Sequence, residues 1–245
     1  MIAAAAGAAA LEAASPKPAS LSAAPARVTL AGLESKTIRV TNSGGRRAIV
    51  DAAPAGFALD LRGHPRIVRA SPLRLTLRPR RLALRPGEVA TLTVSALLPP
   101  HARAGDHPAL VLLTTRPRSG AGLGVRLQIG IVVIVRAPGA VARRLAVRRL
   151  RVRRARPGDR LEVMLVNRGD VTERLGRDRV QVTLRRHGRL LARLRAAPRE
   201  VFPRARARES FRYRGLFRGP ATAVVEVDRP ADGVAILRRS FRIRL

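Results

Sequence analysis

From residue 27 onward hydrophobic and polar positions alternate in short runs that Gly, Pro or Asn interrupts roughly every 8–12 residues, the period-two rhythm of strands buried on one face. The clearest runs are 36–41, with Ile38 and Val40 on one side, 73–77, and 89–96, where Leu92, Val94 and Ala96 align. Next come 109–115 and the long segment 125–136, in which Val125, Leu127, Ile129, Ile131, Val133 and Val135 share a side. Ala137-Pro138-Gly139-Ala140 then breaks the pattern as a linker would. It resumes at Leu145 and Val147 and continues through 161–166, 180–184, 190–194, 221–227 and 241–245, with His187-Gly188 predicted as a hairpin turn. No helix-length apolar stripe competes. The pattern predicts an all-β chain of two tandem immunoglobulin-like β-sandwich domains, 27–137 and 138–245.

An internal echo supports two related units. The chain has only two Asn, and each ends an alternating run just before a Gly: Thr41-Asn42-Ser43-Gly44 and Val166-Asn167-Arg168-Gly169. Asn tolerates left-handed backbone and Gly adopts it freely, so Asn-x-Gly suits the exit of a strand into a tight arch.

Ahead of this, residues 1–26 form a signal-like or disordered segment. Met1 to Ala14 are almost all Ala, and Ser15-Pro16-Lys17-Pro18 follows, which resembles the small-residue end of a secretory signal without its basic start. No stretch reaches the roughly 18 apolar residues of a spanning helix. The expected destination is outside the cell, either secreted or at the cell surface.

Composition narrows the partners. Lys and Arg total 49 against 16 Asp and Glu, a formal charge of +33, and all but Lys17 and Lys36 of the basic residues are Arg. The 138–245 half carries 30 basic and 10 acidic residues against 19 and 6 in 1–137, so the second unit is the more cationic. With no Cys there is no thiolate metal site, Cys nucleophile or disulfide. One Tyr, five Phe and no Trp leave few platforms for stacking single-stranded nucleic acid.

Catalytic patterns are scarce. Glu34-Ser35-Lys36-Thr37 lacks the Gly-rich run of a phosphate loop, and Gly120-Ala121-Gly122-Leu123-Gly124 joins two predicted strands and opens no helix. His101, Asp106 and His107 fall in a Pro- and Gly-rich stretch with no spacing that converges side chains, so a solvated loop is expected there and no metal or cofactor. The chain is expected to be a non-enzyme. Its candidate binding residues are arginines: Arg143, Arg144, Arg148, Arg149, Arg151, Arg153, Arg154 and Arg156 around apolar Leu145, Val147, Leu150 and Val152, and a second cluster of Arg204, Arg206 and Arg208 that continues to Arg212 and Arg214. Alternate positions of a strand share a face, and guanidinium forks bind carboxylate and phosphate bidentately.

Several segments resemble a known family. Val40-Thr41-Asn42-Ser43-Gly44, Leu84-Arg85-Pro86-Gly87-Glu88 running into Thr91-Leu92-Thr93-Val94, Leu98-Pro99 before Gly105-Asp106-His107, and the return strand 130–135 ending at Pro138-Gly139 look like the N-terminal domain of WxL-interacting proteins. That resemblance covers roughly 27–137 and implies an immunoglobulin-like, peptidoglycan-binding module similar in outline to periplasmic pilus chaperones. The second unit resembles generic bacterial immunoglobulin-like surface domains. The leading expectation is therefore an exported, non-catalytic cell-surface or cell-wall protein that contacts an anionic wall polymer or surface protein through Arg-rich sheet faces. One alternative is a pilus-type chaperone that binds clients by strand addition along 125–135. The other, an intracellular nucleic-acid binder, has charge in its favour and the missing aromatics against it.

Overall fold

The computed structural model describes residues 19–68, 73–116, 126–154, 158–176, 179–227 and 237–245. Met1 to Ala14, Gly120 to Gly124, Val125, Arg156 and Pro157 lie outside these residues.

The first module contains β1 (Leu21–Ala24), β2 (Arg27–Ala31), β3 (Ser35–Asn42), β4 (Ala48–Leu59), β5 (Pro65–Val68), β6 (Arg74–Arg78), β7 (Arg81–Leu84), β8 (Val89–Leu97), β9 (Gly105–Thr115) and β10 (Gln128–Ala137). One sheet runs β1-β3-β8-β6 and the facing sheet β2-β10-β9-β4-β5, with β7 also on β4. The second module contains β11 (Leu145–Arg153), β12 (Asp159–Asn167), β13 (Glu173–Leu175), β14 (Val180–Arg186), β15 (Arg189–Arg195), β16 (Arg199–Val201), β17 (Arg206–Tyr213), β18 (Pro220–Val227) and β19 (Leu237–Arg244). Its sheets are β11-β12-β17 and β15-β14-β18-β19, with β13 and β16 forming a short ribbon. The chain is all-β, two immunoglobulin-like sandwiches in tandem.

Alternation builds each core. In β3, β8 and β10 the inward residues Ile38, Val40, Leu92, Val94, Ile131, Val133 and Val135 are all fully buried, while their neighbours face outward. In β12 and β18, Leu161, Val163, Leu165, Ala223 and Val225 do the same for the second core. The first core also takes in Leu21 and Ala23 of β1, so the sandwich begins ahead of the expected start at residue 27. At Pro25 the chain changes sheets: β1 pairs antiparallel with β3, and β2 pairs parallel with β10.

The two Asn do the same work in both modules. Asn42 donates from Nδ2 to the carbonyls of Arg46 (2.8 Å) and Leu84 (3.1 Å), and its Oδ1 accepts the Gly44 N–H at 3.0 Å. Asn167 donates to Val171 (2.8 Å) and Val201 (3.0 Å) and accepts from Gly169 at 2.9 Å. Both are buried, so these bonds satisfy polar groups that water cannot reach. The hairpin at His187-Gly188 forms as predicted. Both residues have positive φ, 45° and 78°, the twist a two-residue loop requires.

The segment expected to be a solvated loop around Asp106 is not wholly one. His101 lies in a turn, but β9 begins at Gly105, and Asp106 is only 5% exposed because the second module covers it. A third apolar cluster, Phe57, Leu110 and Ile134 of the first module with Phe202 of the second, closes the joint, and Phe57 and Phe202 meet edge to face at 5.2 Å.

Candidate functional site

Two features stand out: an incomplete strand edge and an arginine surface. β10 pairs with β9 along its whole length, from Gln128 opposite Thr114 to Ala137 opposite Gly105. On its other side β2 reaches only 132–136, starting where the Val132 N–H meets the Ala26 carbonyl at 3.1 Å. Ladder bonds alternate sides, so Gln128 and Gly130, in step with Val132, turn their N–H and C=O toward the side that no described strand covers. The inward face of this open stretch stays apolar, with Ile131 fully buried and Ile129 half-buried against the core. This is an unfilled ledge of backbone donors and acceptors beside an apolar floor.

The joint between modules positions the arginines. Asp106 Oδ1 accepts from Arg136 Nε and Oδ2 from the Thr172 backbone N–H, each at 2.8 Å, and the Asp106 N–H donates to the Asp170 carbonyl at 2.7 Å. Burial pushes the Asp106 carboxyl up, but the Arg136 and Thr172 hydrogen bonds outweigh it and hold it below the usual carboxylate range. Across the crease Arg27 pairs with Glu200, and the Leu61 carbonyl accepts the Arg208 N–H at 2.7 Å. The result is a cleft of about 680 Å³ lined by Arg62, His64 and Arg66 from the first module and Arg204, Arg206 and Arg208 from the second.

The arginines singled out in the sequence divide among several places. Arg143 is tied to buried Glu173 at 3.3 Å, and Arg204 pairs with Asp170 at 3.6 Å. Arg144 and Arg154 are exposed in connecting segments, and Arg148 sits at the irregularity in the β11–β12 ladder. Arg149, Arg151 and Arg153 share the outer face of β11, and Arg206 and Arg208 share the outer face of β17. The register joins these through β12: Arg149 opposes Met164 and then Arg208, and Arg151 opposes Glu162 and then Ser210. Arg153, Arg160 and Arg212 stand in one row across the three strands. Glu162 is the face's acid, 3.2 Å from Arg153 and 3.9 Å from Arg208. Among the described residues Arg149, Arg151, Arg160 and Arg212 make no ion pair. Arg160, Arg62 and Arg66 were not among the sequence candidates; Arg160 alternates with Asp159 and Leu161 as an outward strand residue must, and that signal was available.

No family model matches the chain, and no curated protein matches it in sequence. Solved structures do match. The chain is similar to a chain of the chaperone–tip adhesin complex of CFA/I fimbriae biogenesis, with a TM-score of 0.52 and 9% identity over 92% of this chain and 98% of that one. It is equally similar to the class 5 fimbriae chaperone CfaA, with a TM-score of 0.52 and 11% identity over 92% of this chain and 98% of that one. The likeness is one of fold: it carries the immunoglobulin-like, pilus-chaperone-like part of the sequence reading and does not extend to WxL-interacting proteins or to peptidoglycan binding.

Proposed function

We propose that the chain is an exported, non-catalytic chaperone of surface subunits that holds its client by strand addition on the open part of β10. The observation that carries this is the half-covered edge: 128–131 bonded to β9 on one side and open on the other, with apolar Ile129 and Ile131 below. A client strand placed there gains main-chain hydrogen bonds, and its alternate side chains complete the apolar face. The two-module fold shared with a fimbrial chaperone supports the same reading, ahead of adhesion to a wall polymer.

A photo-crosslinking residue in place of Gln128, in the native host, tests it. Crosslinks to an exported surface subunit, lost when the crosslinker is moved to Arg189 on the far sheet, are the expected result. Crosslinks to nothing, or equally to ribosomal or nucleoid proteins, would overturn it.

A further inference from the structure

We infer that the outer face of β11-β12-β17 docks the second module onto an anionic lipid surface. The inference goes beyond strand addition and does not depend on it. Like charges directly opposite one another on adjacent strands repel. Yet this sheet sets Arg153, Arg160 and Arg212 in a single row and adds Arg149 and Arg151 along β11, with Glu162 as the acid among them. The fold does not need this arrangement; any polar outward residue would leave the buried face of Leu161, Val163 and Phe211 unchanged. A dense array of headgroup phosphates would neutralise it.

A second observation separates a bilayer from a soluble polyanion. The loop after β17 carries Leu216, which is 97% exposed, at the end of the sheet occupied by the Arg153-Arg160-Arg212 row. Arg160 opposes Arg212 one residue before β17 ends, and Arg218 of the same loop reaches buried Asp159 at 3.9 Å, which sets the loop at that end of the sheet. A large apolar side chain held in water at the end of a cationic sheet suits insertion between headgroups, with guanidinium groups on nearby phosphates. A linear polyanion has no use for it. The outward residues of this three-stranded sheet also lack the aromatic platforms that stack bases.

The test is sedimentation of the full chain with vesicles of equal phosphatidylglycerol and phosphatidylcholine, with pure phosphatidylcholine vesicles and soluble polyphosphate as comparisons. Binding to the mixed vesicles and none to pure phosphatidylcholine is expected, weakened on the order of tenfold by R160S/R212S and about tenfold by L216S. The R185S/R189S variant, which removes equal charge from the β14–β15 hairpin, should retain binding. L216S should leave any weak polyphosphate binding unchanged. Equal losses from the two charge pairs would reduce the effect to net charge and overturn the proposal. So would vesicle binding indifferent to Leu216; if polyphosphate binding then tracked Arg160 and Arg212, the face would belong to a soluble polyanion. Melting curves for each variant separate lost binding from lost folding.

Discussion

Asp106 and Arg136 form an ion pair across neighbouring strands of the first module, 2.8 Å apart, and the carboxylate's other oxygen holds the Thr172 backbone N–H of the second. One buried acid thus ties a strand pair and a domain joint together. Because its folded-state carboxyl lies below the ordinary range, the stability it contributes is present above the unfolded value near about 3.9 and is lost as pH falls through the lower folded value. D106N should remove part of this acid limb and cost about 2 kcal/mol at neutral pH, less than a fully buried pair because Arg136 is half exposed. Thermal melts from pH 2 to 7 check it; parallel curves for the two proteins would refute the assignment.

Glu209 should behave in the opposite sense. It is 3% exposed on the inner face of β17, and burial pushes its carboxyl up despite Arg199 at 3.0 Å. The folded state therefore binds its proton more readily than the unfolded chain, and stability is lost as pH rises from the unfolded value through the raised folded one. E209Q should flatten that decline. Its cost at pH 7 should be no more than about 1 kcal/mol, because Arg199 keeps its bond to the Arg208 carbonyl at 2.6 Å.

The paired arches predict paired losses. N42A and N167A each strand carbonyls that the amide had satisfied, so each should cost about 2–3 kcal/mol. Hydrogen exchange should then rise first in the module that carries the change. A substitution that loosens both modules equally would mean the arches are not independent units.

Removing one member of the arginine row should stabilise the fold. R160T relieves repulsion with Arg153 and Arg212 and puts a β-branched residue on a strand, so the melting temperature should rise by about 1–3 °C at low salt. Added salt should erase the gain. A fall in melting temperature would show that Arg160 has a structural partner.

The joint leaves no room for a methyl group at Gly105. A Cβ there would stand 2.1 Å from the Asp170 carbonyl oxygen, and the residue has φ +117°. G105A should therefore cost more than about 2 kcal/mol, and proteolysis at the 138–144 connection should quicken. Wild-type resistance in the variant would indicate that the modules part easily.

How much of this was legible beforehand follows from what alternation can encode. β3, β8, β12 and β18 stand out because Ile38, Leu92, Leu161 and Ala223 lie two residues from other apolar side chains and turn residues bound them. β4 does not, since Pro54 and Gly56 interrupt it and Ala fills its pattern, though its neighbours β9 and β7 hold it in the sheet. Charge hides β17: Arg206, Arg208 and Arg212 read along the chain as a basic cluster, while Ala207, Glu209, Phe211 and Tyr213 between them face the core. The arginine row itself could not be found from the chain, because it exists only once register places Arg153, Arg160 and Arg212 abreast. Asp106 looked like a loop residue for the same reason; its burial comes from Thr172 and Asp170, more than 60 positions away.

β10 is one unbroken strand whose last residues are anchored by β2, by Arg136 and by the neighbouring module, while its first residues stay open to one side. The anchored portion fixes the twist and pleat of the open portion. A guest chain would find its template already shaped, so the loss of conformational freedom on docking falls on the guest alone, and the host would need no rearrangement to release it.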